Sequence, residues 1–69
     1  MNEISRQLGQ RIQAGRRGKG WTQEDLAHHA GLDFSYLNQL ENGKRNPSLA
    51  TLYKIATALG VTLKDLIPG

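Results

Sequence analysis

The glycines of this chain divide it into pieces that suit only short helices. Gly18 and Gly20, then Gly31, then Asn42-Gly43, then Gly60 each close a segment. Within the segments the apolar residues recur at three- and four-residue spacing. Soon after each stop stands a residue suited to an N-cap: Thr22, Asp33, Ser48 and Thr62. The spacing of Ile4, Leu8, Arg11, Ile12 and Gly15 predicts a first helix over about 2–17. Two short helices follow, over about 23–30 and 34–41. A fourth carries Leu49, Leu52, Ile55, Ala56 and Leu59, and a short fifth contains Leu63, Leu66 and Ile67 before Pro68 ends it. Nothing reads as a strand. The expected fold is a compact all-α, five-helix single domain spanning 1–69.

The caps sharpen these boundaries. Asp25 stands at the third helical position after Thr22, and Asp65 after Thr62, the spacing of a capping box with aspartate in place of glutamate. Trp21 precedes one cap and Leu26 holds the fourth helical position, the spacing of a hydrophobic staple. A base-stacking role for Trp21 is the less favoured alternative.

The chain has 69 residues and no cysteine, so neither a disulfide framework nor a thiolate metal site can staple it. Its stability must come from helix packing or from dimerisation. Nine Lys and Arg against six Asp and Glu give a net charge of +3, with a pI near 9.7. Arg6, Arg11, Arg16, Arg17 and Lys19 oppose only Glu3 in the first stretch, and Lys44 and Arg45 form a second basic pair. Such a balance is compatible with nucleic acid. No apolar run approaches the ~18 residues of a membrane span, and no signal-peptide pattern opens the chain, so a cytoplasmic protein is expected.

Enzymatic chemistry lacks a constellation: there is no Cys, no Ser–His–acid spacing and no carboxylate pair in an apolar setting. His28 and His29 are adjacent, hence ~100° apart on a helix, and no third ligand has a matching spacing; surface histidines are expected rather than a metal site. Gly15, Gly18 and Gly20 do not reproduce a dinucleotide-binding glycine pattern. Cofactor, metal and small-molecule site are therefore expected to be absent.

The stretch from Thr22 to Gly43 is the informative one. Two short helices joined through a left-handed cap glycine fit a helix-turn-helix, whose second helix enters the DNA major groove. Ala27 is small where the two helices would cross, and Gly31 suits a positive φ. If Leu37 and Leu40 face inward, Ser35, Asn38 and Gln39 point out, with Phe34 and Tyr36 on the flanks. Asn and Gln can bond adenine bidentately, Ser can bond several base edges, and Phe34 can either meet a thymine methyl or shield the helix start. Phe34, Ser35, Asn38 and Gln39 are thus the candidate base contacts. Tyr36 is a candidate phosphate or base contact, taken as a backbone contact, or alternatively a partly buried core edge. Lys44 and Arg45 follow the recognition helix and suit phosphates. For Arg6 and Arg11 a DNA surface and a solvated helix face remain equally open.

The spaced pieces Thr22-Gln23-Glu24-Asp25-Leu26-Ala27, Ala30-Gly31-Leu32, Leu40-Glu41-Asn42-Gly43-Lys44-Arg45, Pro47-Ser48, Leu52 and Ala58-Leu59-Gly60-Val61 resemble the Cro/phage-repressor (XRE-type) helix-turn-helix family over about residues 8–67. They are also similar to controller proteins of restriction–modification systems. The resemblance implies that Gln23 bonds phosphate and supports the recognition helix. It implies backbone contacts for Thr22, Asn42, Lys44 and Asn46. It also implies a buried or half-buried pair between Arg16 and Glu41, for which Arg17 is a competitor. Phe34 departs from the polar residue usual at its position.

A sequence-specific, double-stranded-DNA-binding transcription regulator is therefore expected, bacterial or phage-encoded, acting as a homodimer on a two-fold operator. Val61, Leu63, Leu66 and Ile67 are the candidate dimer interface, with closure of the monomer core as the equal alternative. A protein-interaction module of the same fold, such as an antitoxin or adaptor, is the alternative function.

Overall fold

Five α-helices form in the computed structural model, which describes residues 3–68. They are α1 (Glu3–Gly18), α2 (Gln23–Ala30), α3 (Phe34–Glu41), α4 (Leu49–Leu59) and α5 (Leu63–Leu66). The expected helix start at Asn2, and the ends of the expected 1–69 domain, lie outside the described residues. Helix α1 continues through Gly18 instead of ending before it. Its stop is the turn in which the N–H groups of both Lys19 and Trp21 donate to the Arg16 carbonyl, at 3.1 and 3.2 Å.

The four later helices begin where a side chain takes up an orphan amide. Thr22 and Thr62 each build a complete capping box with Asp25 and Asp65, and Asp33 and Ser48 cap α3 and α4. Helix α2 ends at Gly31, whose φ of 68° would strain any residue with a Cβ. The Leu32 N–H turns back to the Ala27 carbonyl at 2.9 Å, closing a Schellman-type stop that aims the chain into α3 after a short turn.

One core joins the helices. Ile12, Leu26, Leu37, Leu40 and Ile55 are completely enclosed, and burial of each contributes about 1.5–3 kcal/mol. Leu8, Ala27, Ala30, Leu52, Ala56, Leu59 and Leu66 complete the cluster. Helix α3 packs on α1 and α2, α4 packs on α2, and α5 bridges α4 and α1.

That bridging bears on the two readings of the chain's apolar end. Leu66 is only 2% exposed and belongs to the core, because α5 lies across the gap between α1 and α4. Val61 and Leu63 are half-buried against the same core, and Ile67 remains 45% exposed as the residue that caps α5 rather than a member of it. In α1, Ile4 shares the apolar spacing but is exposed, and Ser5 takes the buried position.

Candidate nucleic-acid interface

Two local features position α3. The Thr22 hydroxyl accepts from the Asp25 N–H at 3.1 Å, and the Asp25 carboxylate accepts from the Thr22 N–H at 2.9 Å. Donation from the Thr22 backbone N–H, and after it the Thr22 side chain, holds the Asp25 carboxyl below the usual range, and the neighbouring histidines add to the effect. The box sets the first turn of α2 and so places Gln23 at its first helical position. Asp33 then accepts from the Tyr36 N–H at 3.2 Å and starts α3. With Leu37 and Leu40 pinned in the core, Phe34 and Ser35 are exposed, while Tyr36, Asn38 and Gln39 are half-buried.

Behind this surface lies a buried ion pair. Arg16 Nε donates to Glu41 Oε2 at 2.8 Å and Arg16 Nη2 to Glu41 Oε1 at 3.0 Å. The third arm, Nη1, donates to the Trp21 carbonyl at 2.9 Å, tying the end of α1 to the entry of α2. Arg16 makes this pair; its neighbour Arg17 is exposed. A carboxylate so buried needs several donors to offset its lost hydration. Gln23 supplies the next one, Nε2 to Glu41 Oε1 at 3.1 Å.

The same Gln23 amide continues outward. Its Oε1 accepts from Asn38 Nδ2 at 3.0 Å. Asn42 Nδ2 donates to the Asn38 carbonyl at 2.8 Å and more weakly to Asn38 Oδ1 at 3.3 Å. A line of bonds therefore converges on Glu41: Asn42 donates to Asn38, Asn38 to Gln23, and Gln23 and Arg16 both donate to the carboxylate. It fixes which end of each amide faces which neighbour. Gln23 and Asn38 each keep one N–H beyond these bonds, directed neither at Glu41 nor at Gln23.

The loop after α3 is held equally firmly. Gly43 is buried with φ of 73°, and a Cβ there would stand 2.9 Å from Arg6 Cα. Ser5 Oγ donates to Asn46 Oδ1 across the same junction. Lys44 N–H returns to the Gln39 carbonyl at 2.9 Å. Lys44 and Arg45 are exposed beside the end of α3. The Arg45 guanidinium lies 4.9 Å from the centre of the Tyr36 ring, and its Nη1 donates to Gln39 Oε1 at 3.1 Å.

Thr22, Gln23, Phe34, Ser35, Tyr36, Asn38, Gln39, Asn42, Lys44, Arg45 and Asn46 all sit on α2 or its N-cap, on α3 or in the loop that follows. Arg6 and Arg11 lie on α1, Arg6 with its backbone against Gly43. Arg6 pairs with Glu3, and Arg11 donates to the carbonyls of Asp65 and Ile67 at 3.2 and 3.4 Å, securing the end of α5. Trp21 is half-buried against the core and stacks on His29 with ring centres 4.3 Å apart and planes 7° from parallel. The Lys19 ammonium stands 5.0 Å from the indole ring. Among the described residues no three His, Cys, Asp or Glu side chains converge as a metal site, and no helix is long and apolar enough to cross a membrane.

Several of these roles carry no signal in the sequence. Ser5 reads as an ordinary polar helix residue, yet it anchors Asn46. Gly9 reads as a weak point in α1, yet a Cβ there would stand 2.5 Å from the carbonyl oxygens of both Leu40 and Glu41. Backbone contact at Gly9 is what lets Arg16, two turns further along α1, reach Glu41.

A helix-turn-helix family model matches residues 12–66. The chain is 48% identical over 52 residues to the uncharacterized HTH-type transcriptional regulator y4dJ of Sinorhizobium fredii, covering 75% of this chain and 68% of that one. It is 42% identical over 67 residues to the control protein C.MunI of a Mycoplasma species, covering 96% and 90% of the two chains. Among solved structures, the restriction-modification controller protein C.AhdI from Aeromonas hydrophila superposes with a TM-score of 0.89 at 43% identity, covering 91% of this chain and 96% of that one.

Proposed function

This chain belongs to the XRE-type helix-turn-helix family, the Cro and phage-repressor kind, and from that premise we propose that it regulates transcription by binding duplex DNA sequence-specifically, with α3 in the major groove. What supports this most is the outer surface of α3: Ser35, Asn38 and Gln39 stand there between the exposed Phe34 and the basic pair Lys44 and Arg45. A helix N-terminus with polar side chains suits base edges, and the flanking cations suit phosphates.

Ser35, Asn38 and Gln39 are the hydrogen-bonding base readers, and Phe34 is placed to meet a thymine methyl. Thr22, Gln23, Tyr36, Asn42, Lys44, Arg45 and Asn46 hold the sugar–phosphate backbone. Gln23 and Asn46 each use their amide oxygen inside the protein and keep amide hydrogens for phosphate. The buried Arg16–Glu41 pair positions Gln23 and, through it, Asn38. Two copies bind one operator in a bacterial cytoplasm. The exposed Ile67, with half-buried Leu63 and Val61, forms the apolar patch through which the copies associate. A single module of this size reads few base pairs, and a second copy multiplies its discrimination.

Selection of bound duplexes from a random pool at moderate salt tests the reading. Near-palindromes with half-sites centred roughly 34–36 Å apart are expected. A chain that enriches no duplex at all would instead be a protein-interaction module of the same fold.

A further inference from the structure

Tyr36, Gln39 and Arg45 form a cluster in which one residue governs what another can recognise. Tyr36 and Gln39 are three apart on α3 and so share a face. Arg45 arrives from the loop, which the Lys44–Gln39 backbone bond and the close approach of Gly43 to Arg6 hold against the helix end. Its guanidinium rests on the Tyr36 ring and donates to the Gln39 amide oxygen. Two contacts, a ring face and an amide oxygen, thus orient it.

A free glutamine offers one acceptor and a donor edge, which matches the N6 amino group and N7 of adenine. In this chain a cation already occupies the acceptor. An adenine amino group that sought the second lone pair of Gln39 Oε1 would have to approach beside the guanidinium, positive end to positive end. The groups left over are both Nε2 hydrogens of Gln39 and the remaining guanidinium hydrogens, and arginine has no acceptor at all. Apart from that crowded lone pair, the joint edge is donors only. Guanine N7 and O6 are two acceptors side by side on the major-groove edge, and no other base presents that pair.

We propose that Arg45, besides its contact with the sugar–phosphate backbone, sets the base preference of Gln39, so that the pair reads guanine where glutamine alone would favour adenine. The inference rests on the proposed binding of duplex DNA through α3. Tyr36 is the positioning residue: its ring holds the guanidinium against the Gln39 amide oxygen.

Duplex selection is run on the wild type and on Q39A, R45A, Y36L and Y36F, each first checked for an unchanged helical melt. The wild type is expected to enrich guanine at one half-site position, which Q39A identifies by losing the preference there. R45A lowers the guanine-to-adenine ratio at that position by at least about fivefold, the low end of what a bidentate base contact is worth. Y36L keeps every charge and moves the ratio the same way, whereas Y36F retains the ring and the guanine preference. The inference is overturned if R45A weakens all sequences equally without changing the preferred base. Adenine in the wild-type site, or no position-specific change in Q39A, overturns it as well. A wild type that enriches no duplex removes the DNA-binding reading itself, and the two failures are therefore distinct.

Discussion

Arg16 and Glu41, 25 residues apart in the chain, meet in a two-bond ion pair with contacts of 2.8 and 3.0 Å. The Glu41 side chain is 1% exposed and the Arg16 side chain 10%. Because Glu41 ends α3 and Arg16 lies near the end of α1, this pair joins the scaffold to the helix that carries the candidate base contacts. Removing either partner leaves the other buried and unpaired, at a cost on the order of 3–5 kcal/mol. The two losses should not add. A double-mutant cycle on unfolding free energy with R16M and E41Q is expected to give a coupling above about 0.5 kcal/mol. Additivity within error would mean that the carboxylate finds its counter-charge elsewhere.

Gly9 and Gly15 lie on the same helix but predict opposite outcomes. A Cβ at Gly9 meets two backbone carbonyl oxygens at 2.5 Å, whereas one at Gly15 meets the Leu59 side chain at 3.0 Å. Backbone cannot yield as a leucine methyl can. G9A should destabilise by about 1–3 kcal/mol or more through overpacking. G15A should stay within roughly 1 kcal/mol of wild type, because the helix-propensity gain of alanine offsets a small shift of Leu59. Thermal melts of the two variants decide this, and equal melting temperatures would contradict the close approach of α1 to α3.

Lys44 is exposed in the loop that α3 leads into, with its backbone bonded to Gln39. K44A should weaken binding to specific and non-specific duplex alike. The slope of log affinity against log salt should become shallower by roughly one per affected half-site. An unchanged slope excludes Lys44 from the phosphate contacts.

Leu66 and Ile67 are adjacent yet differ in burial, 2% against 45%. L66D should unfold the chain, since a carboxylate in the core has no partner. I67D should leave the melt of the dilute chain nearly unchanged and reduce self-association in sedimentation, together with operator affinity. A wild type that stays monomeric at high concentration would remove the dimer while leaving DNA binding intact.

Asp25 and Asp65 both titrate below the usual aspartate range, chiefly because backbone N–H groups of Thr22 and Thr62 donate to their carboxylates. A depressed folded-state pKa means that the charged form favours folding. That contribution is complete above the unfolded value, about pH 4, and is lost as the pH falls through the lower folded value. D25N and D65N should therefore melt lower than wild type at neutral pH, and the gap should narrow below pH ~4. A gap independent of pH would show that the boxes do not depend on charge.

Much of this was legible in the sequence because helix caps and apolar spacing are short-range. Thr22 with Asp25, Thr62 with Asp65, and Gly31 after Ala30 act within three or four residues of one another, so both ends of α2 and the start of α5 follow from local chemistry alone. The inward stripe of Leu37 and Leu40 follows from helical pitch, and with it the outward placement of Ser35.

What local chemistry leaves open is where one helix touches another. Ser5 meets Asn46 across 41 residues and Arg11 meets Ile67 across 56, and no spacing rule reaches that far. Nor does pitch decide whether an outward amide is free. Asn38 and Gln39 stand on the expected face, but Gln23 bonds one and Arg45 the other, because α2 and the loop after α3 are folded back against that face. Leu66 and Ile67 have equal hydropathic reason to be buried; the position of α5 between α1 and α4 admits only the first. Sequence thus determined the helices, most of their ends and most of their apolar faces, all set by interactions within a turn or two. Packing decided which polar groups are already bonded and which remain for a partner, because that depends on distances between segments that only the folded chain brings together.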